Sequence, residues 1–132
     1  MYKQVIVIRR DLKMRRGKEV AQGSHASMQF LLDAIEVSNK KRFLWFFRVP
    51  VKFTKVEKEW FKGFFTKVCV RVDSEEELLS IHEKAKESGL KSYLITDAGK
   101  TEFHGKPTPT CLAIGPDEAE KLNKVTGHLE LM

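Results

Sequence analysis

The sequence predicts an α/β protein: a three-layer α/β/α sandwich built around a mixed four-stranded β-sheet. Two observations predict it. Short apolar runs rich in β-branched residues recur at 4–9, 67–72, 92–96 and 110–115, and stretches of helical period lie between and after them. Strands that alternate with helices are covered on both sides of their sheet, which gives three layers. The chain has 132 residues and 42% apolar content, the size of one domain, 1–132, with enough apolar side chain for one core.

The first run, "QVIVIR" (4–9), is continuously apolar, as a strand covered on both faces requires. From Gly17 the period changes. Ala21, His25, Met28, Leu32 and Ile35 fall on one helical face, and the helix runs to about Ser38. The second strand, "KVCVRV" (67–72), leads to Ser74, whose spacing to Glu77 is that of a capping box. The helix it opens runs to about Ser88, where Gly89 stops it. "SYLIT" (92–96) and "TCLAIG" (110–115) are the third and fourth strands, and Pro116 opens a short helix to about Asn123. No internal repeat is present.

Between the first helix and the second strand lies an aromatic and basic insertion, at about 38–66. Residues 40–67 hold nine Lys/Arg against two Glu, and nine of the thirteen aromatic residues of the chain. Basic residues interleaved with exposed rings can track a nucleic-acid backbone and stack on unpaired bases. Phe43, Trp45, Phe46, Phe47, Trp60, Phe61, Phe64 and Phe65 are also the residues that would pack a helical insertion against the sheet, or form a dimer contact. Packing is the expectation for most of them. Within "EKEWFKGFF" the charge spacing is helical, and Gly63 breaks it.

A formal net charge of +6 points to an anionic partner, nucleic acid or an acidic membrane surface. No long helix has a clean basic amphipathic face, which sets the membrane aside. Cys69 and Cys111 sit in apolar runs without ligand spacing and are expected to be reduced core thiols, as in a cytoplasmic protein. The apolar stretch before Arg9-Arg10-Asp11 is too short for a signal peptide or a membrane span.

Two stretches look like sites. "RRDLKMRRGK" (9–18) puts six Lys/Arg and one Asp at the carboxyl end of the first strand, where open α/β sheets hold ligands. Lys18, Gln22 and His25 then follow at spacings of four and three, forming a polar stripe over the first turns of the helix. Basic loop, helix start and stripe together suit an anion, with Arg15 and Arg16 as phosphate contacts. The bland reading makes the basic residues a solvated turn and His25, beside Ala21 and Met28, a core histidine. The second stretch, "TDAGKTEFHGKPTPT" (96–110), contains Gly99-Lys100-Thr101, the ending of a P-loop. Yet Leu94 stands where the first P-loop glycine belongs, and the breakers after Thr101 forbid the helix that a P-loop needs. What remains is a tight turn presenting Asp97, Lys100 and Thr101 after a strand.

Taken together and in order, "VIVIRRDLKMRRGKEVAQGSHAS" (5–27), "KVCVRVDSEEEL" (67–78), "YLITDAGKT" (93–101), "AIGP" (113–116) and "VTGHLEL" (125–131) resemble the type 2 peptidyl-tRNA hydrolases over most of the chain. The resemblance implies a cofactor-free esterase on a four-stranded mixed α/β sheet, with peptidyl-tRNA as its partner. It implies Lys18, Asp97 and Thr101 as catalytic residues. Gln22 and His25 match the family's Ala-Gln-x-x-His-Ala run, and Thr108 or Thr110 its last-strand threonine, since the loop after Thr101 is one residue longer than usual. With Arg15, Arg16 and Lys100 these are the expected substrate and tRNA contacts. The segment 38–53 is longer and more aromatic than the family's linker, and no function carries over to it.

The chemistry suits these residues. Ester hydrolysis needs a positioned water, a stabilised oxyanion and a proton for the leaving ribose oxygen. Asp97 can accept a proton from water or orient it, Lys18 can offset developing negative charge, and Thr101 can relay or position. Ser24 lacks a nucleophile elbow, neither cysteine has a protease signature, and Asp97, His25 and His104 lack metal-ligand spacing, so no metal is expected. A non-catalytic RNA-binding module on the same scaffold is the alternative, and a homodimer remains open.

Overall fold

The buried run Gln4 through Arg9 belongs to β1 (Tyr2–Arg9), and everything else is arranged around it. A computed structural model of the chain describes residues 1–39 and 51–132. After β1 come α1 (Arg16–Asn39), α2 (Lys55–Lys62), β2 (Lys67–Val72), α3 (Glu75–Glu87), β3 (Ser92–Asp97), β4 (Thr108–Glu118) and α4 (Ala119–Thr126), with a three-residue 3-10 turn, Phe103–Gly105, before β4. The strand order is β2-β1-β4-β3. β1 and β2 are parallel, and β4 is antiparallel to both β1 and β3, so the sheet is mixed. β1, β2 and β3 therefore end on the same side, where β4 begins.

Alternation along β1 divides the core. Val5 and Val7, with Val70, Val72, Leu112 and Ile114, pack against Leu78, Ile81 and Ala85 of α3 and Leu122 and Val125 of α4. Ile6 and Ile8, with Cys111 and Ala113, pack against Ala26 of α1 and Met14. Helices on both faces make the expected three layers. Gln4 is fully buried on the α1 side and exchanges hydrogen bonds with Ser27, donating from Nε2 to its carbonyl and accepting from its hydroxyl.

α3 starts and stops as expected. Ser74 Oγ accepts from the amide of Glu77, while the Glu77 carboxylate reaches back to the amide of Asp73, one residue before the cap. At the other end Leu90 N–H donates to Ala85 O and Gly89 N–H to Lys86 O, with Gly89 at φ +75°, a Schellman ending. The full capping box belongs to α2, between Thr54 and Glu57, and Gly63 ends that helix.

Two expectations are corrected. Pro116 does not open a helix: it lies within β4 after a cis Gly115–Pro116 bond, and α4 starts at Ala119. The register of β4 on β1 shifts between Lys3 and Val5, and β3 pairs β4 only as far as Ile114. The proline thus occupies an irregular stretch where its missing N–H costs no regular ladder bond. The second correction concerns α1, whose stripe Ala21, His25, Met28 and Leu32 is exposed, whereas Gln22, Gly23, Ala26 and Phe30 are buried.

The described part of the aromatic and basic segment, from residue 51 on, is partly packed. Trp60 is 2% exposed, stands edge-on to Phe30 and donates Nε1–H to Thr66 O. Phe61 and Phe65 pack on it, Phe53 stands edge-on to Phe61, and the Lys67 ammonium lies 3.2 Å from the Phe65 ring centre. Burial lowers the Lys67 pKa. Phe64, by contrast, is 96% exposed. Phe43, Trp45, Phe46 and Phe47 lie outside the described residues.

The outer edge of β2 carries the last residues of the sequence. Arg71 N–H donates to Glu130 O, Met132 N–H donates to Cys69 O, and Leu131 bridges Val70 in antiparallel sense. The Arg71 guanidinium also pairs with the Glu130 carboxylate.

Candidate active site

The first turn of α1 meets the end of β3 where β1 and β3 both finish, and there Lys18 Nζ donates to Asp97 Oδ1 at 2.7 Å and to Thr101 Oγ1 at 3.0 Å. Gln22, one turn further along α1, donates from Nε2 to the same Asp97 oxygen at 3.4 Å. The other Asp97 oxygen accepts the amide of Gly99 at 2.9 Å. Thr110, fully buried at the start of β4, donates its hydroxyl to Gln22 Oε1. One hydrogen-bonded chain thus joins Thr110, Gln22, Asp97, Lys18 and Thr101.

Local backbone explains why these side chains converge. In the β3–β4 ladder Ile95 faces Cys111 but Thr96 faces Pro109, so Thr110 is the extra residue of a bulge. A bulge re-aims its side chain, here towards α1. Arg9 holds the bulge from below: it is 8% exposed, grips both Asp11 carboxylate oxygens and donates to Pro109 O at 2.9 Å. Arg9 was legible only as one of six basic residues, yet its charge is spent on Asp11, two residues away. Gly99 closes the turn at φ +80°, and a Cβ there would stand 2.3 Å from Lys106 O, so only glycine fits.

The Asp97 carboxyl is held below the usual carboxylate range, chiefly by the Lys18 hydrogen bond, against partial desolvation and with help from the Gly99 amide. It is ionised at neutral pH and is a weak base. Lys18 uses two of its three N–H donors inside the chain of bonds. Thr101 Oγ1 accepts from Lys18, which leaves the threonine's own O–H hydrogen free to donate.

Beside Asp97 lies a cleft of about 300 Å³, lined by Gln22, His25, Gln29, Leu94, Ile95, Thr96, Asp97 and Ala98. His25 is exposed on this cleft and is not a core residue. A larger groove of about 590 Å³ runs along the opposite side of α1 and is mostly apolar, lined by Ile6, Ile8, Val20, Met28, Phe65, Cys69 and Met132 among others, with Glu19 and Lys67 as its charged residues. It contains none of the convergent polar groups, which border the smaller cleft instead.

The remaining predicted residues lie around this centre. Arg15 is 91% exposed on its side chain and 4.0 Å from Glu102, and Arg16 and Lys100 are exposed. Thr108 faces Asp97 in the ladder, but its hydroxyl turns back to Lys106 O. Of the two candidate threonines, Thr110 is the one bonded into the network. Cys69 and Cys111 are free thiols, and burial pushes the Cys111 thiol up to about 11. Among the described residues, no group of three His, Cys, Asp or Glu side chains is placed to hold a metal, and no helix is long and apolar enough to cross a membrane.

The family model described as "Peptidyl-tRNA hydrolase PTH2" matches residues 2–132. The chain belongs to the PTH2 family of peptidyl-tRNA hydrolases. A relative named peptidyl-tRNA hydrolase from Methanopyrus kandleri is 44% identical over 132 residues, covering 100% of this chain and 99% of the relative. Another of that name, from Methanocaldococcus jannaschii, is 43% identical over 98% of this chain and 99% of its own length. A solved structure of a protein of unknown function from Agrobacterium tumefaciens strain C58 shares the fold, with a TM-score of 0.59 at 12% identity over 99% of this chain and 97% of that one. Membership in the PTH2 family makes the chain a hydrolase of the peptidyl-tRNA ester, an enzyme of translation that returns tRNA to use.

Proposed function

We propose that the PTH2 chemistry of this chain is carried out at the cleft beside Asp97, on the ester between a peptide and the 3′-terminal ribose of tRNA. The observation that carries this is Lys18, bonded at once to Asp97 and Thr101, with a third N–H left for substrate. Its ammonium and the free Thr101 hydrogen offset the negative charge that grows on the ester carbonyl oxygen as water adds. Asp97, a weak base in this setting, orients Lys18 and the attacking water; the proton that the water loses as it adds passes, with the Thr101 hydroxyl as relay, to the 3′ ribose oxygen as its bond to the carbonyl carbon breaks. Gln22 and Thr110 are positioning residues that hold the carboxylate. Arg15, Arg16 and Lys100 are exposed around the mouth and meet the phosphates of the acceptor end, with His25 beside the ester.

Because the substrate is a product of translation, we place the chain in the cytoplasm. The apolar groove on the other side of α1 suits a second copy, since Val20 and Met28 are 64% and 53% exposed along it.

The test is hydrolysis of an N-blocked aminoacyl-tRNA by the wild type, Lys18→Met and Asp97→Asn, with melting curves for all three. Turnover at least 100-fold lower in both variants, with the fold retained, is expected. Wild-type rates in either would remove that residue from the mechanism. Salt-sensitive tRNA binding by the wild type without cleavage would mean a scaffold that only holds RNA.

A further inference from the structure

β3 is the outermost strand on its side of the sheet, and its last residue is Asp97. On the inner side it pairs with β4: Lys91 O accepts from Gly115 N, and Ile95 O points at Thr110 Oγ1. By strand alternation, the main-chain N–H and C=O groups of Leu94 and Thr96 point the other way, out of the sheet. Among the described residues, no strand and no backbone hydrogen bond occupies that outer edge. The edge borders the cleft that contains Asp97. Leu94 lines this cleft although its side chain packs with the α3 and α4 core, so its main chain is what the cleft meets.

We propose that the peptide part of the substrate binds by adding a strand to this edge. The inference rests on the site reading above and extends it to the peptide. An enzyme that acts on peptidyl-tRNA meets peptides of every sequence, and the one feature they share is the main chain. A free sheet edge recognises that feature, because its affinity comes from backbone hydrogen bonds and not from side chains. The direction is fixed by the chemistry. The ester sits at the carboxyl end of the peptide and must lie at Asp97 and Thr101, so the added strand runs parallel to β3. Leu94 lies three residues before Asp97, roughly 10 Å along the strand, so a peptide of about three residues reaches from the ester to Leu94.

The test uses one tRNA carrying N-acetylated peptides of one or three residues, and tripeptides N-methylated at one position at a time. For the wild type, kcat/KM rises about tenfold from one residue to three, the gain two backbone hydrogen bonds provide. N-methylation removes that gain at alternate positions only, because every second residue of a strand faces its neighbour. Leu94→Pro, which deletes an outward N–H and no ladder bond, brings the tripeptide rate down to that of the single residue. Rates independent of length and of N-methylation would overturn the edge while leaving the hydrolase reading intact. Failure to cleave any of the substrates would instead overturn the site reading. The N-methyl series is read on unmodified protein, so it decides the matter even where Leu94→Pro disturbs folding.

Discussion

Replacing Thr110 by Val is the sharpest probe of the hydrogen-bonded chain. The substitution keeps the shape of a fully buried side chain and deletes the hydroxyl that donates to Gln22 Oε1. Gln22 is 4% exposed, so water cannot replace the lost donor, and a buried acceptor left unpaired costs about 1–3 kcal/mol. In a chain of this size each kcal/mol lowers Tm by about 3–5 °C. The second effect is on turnover. Without its anchor the Gln22 amide is free to rotate away from Asp97, which it contacts at only 3.4 Å, and kcat falls about tenfold or more while KM for tRNA changes little. Thr108→Val is the control: that hydroxyl donates to Lys106 O on the exposed side, so the expected change is within about 0.5 kcal/mol. Thr110→Ser restores the donor and should recover both properties. The assays are a thermal melt and single-turnover deacylation of an N-blocked aminoacyl-tRNA. If Thr110→Val melts and turns over like the wild type, or Thr108→Val is the damaging change, the network assigned here is wrong.

Two further outcomes follow from the site and the groove. The folded-state pKa of Asp97 is lowered, so the stability its pairing contributes is present above the ordinary carboxylate pKa and lost as pH falls through the folded value. Carbon-detected NMR of the Asp97 carboxyl should therefore show it titrating below the ordinary carboxylate range, and Lys18→Met should move its titration upward; an unmoved titration in that variant would show that Lys18 is not the cause. Sedimentation should give a dimer for the wild type and a monomer for Met28→Lys, which places a charge in the apolar groove; a wild type that stays monomeric at every concentration would refute the groove contact.

Much of the architecture was legible because strands and caps have local causes. β2 spans the residues of its apolar run, and the Ser74 start and Gly89 stop of α3 follow from side-chain and backbone hydrogen bonds within a few residues. The face of α1 was not legible, since burial there is decided by what the helix packs against. Gln22 is buried because Thr110 and Asp97 receive it, and Gly23 because Ile6 and Ile8 pass close by. Met28 and Leu32, more apolar than either, face outward. In the same way Lys18, Asp97 and Thr101 could be singled out by type and motif, but the bulge that turns Thr110 inward depends on how β3 and β4 pair, and the Arg9 clamp beneath it on a contact 100 positions away.

The residues Glu130–Met132 cover the middle of the outer edge of β2, while the outer edge of β3 is bare among the described residues. A sheet with two bare edges can stack end to end without limit, each copy passing an unpaired edge to the next. Here the described sheet has a single sticky side, so two copies that meet there leave nothing for a third. Association through the sheet edges alone ends at a pair.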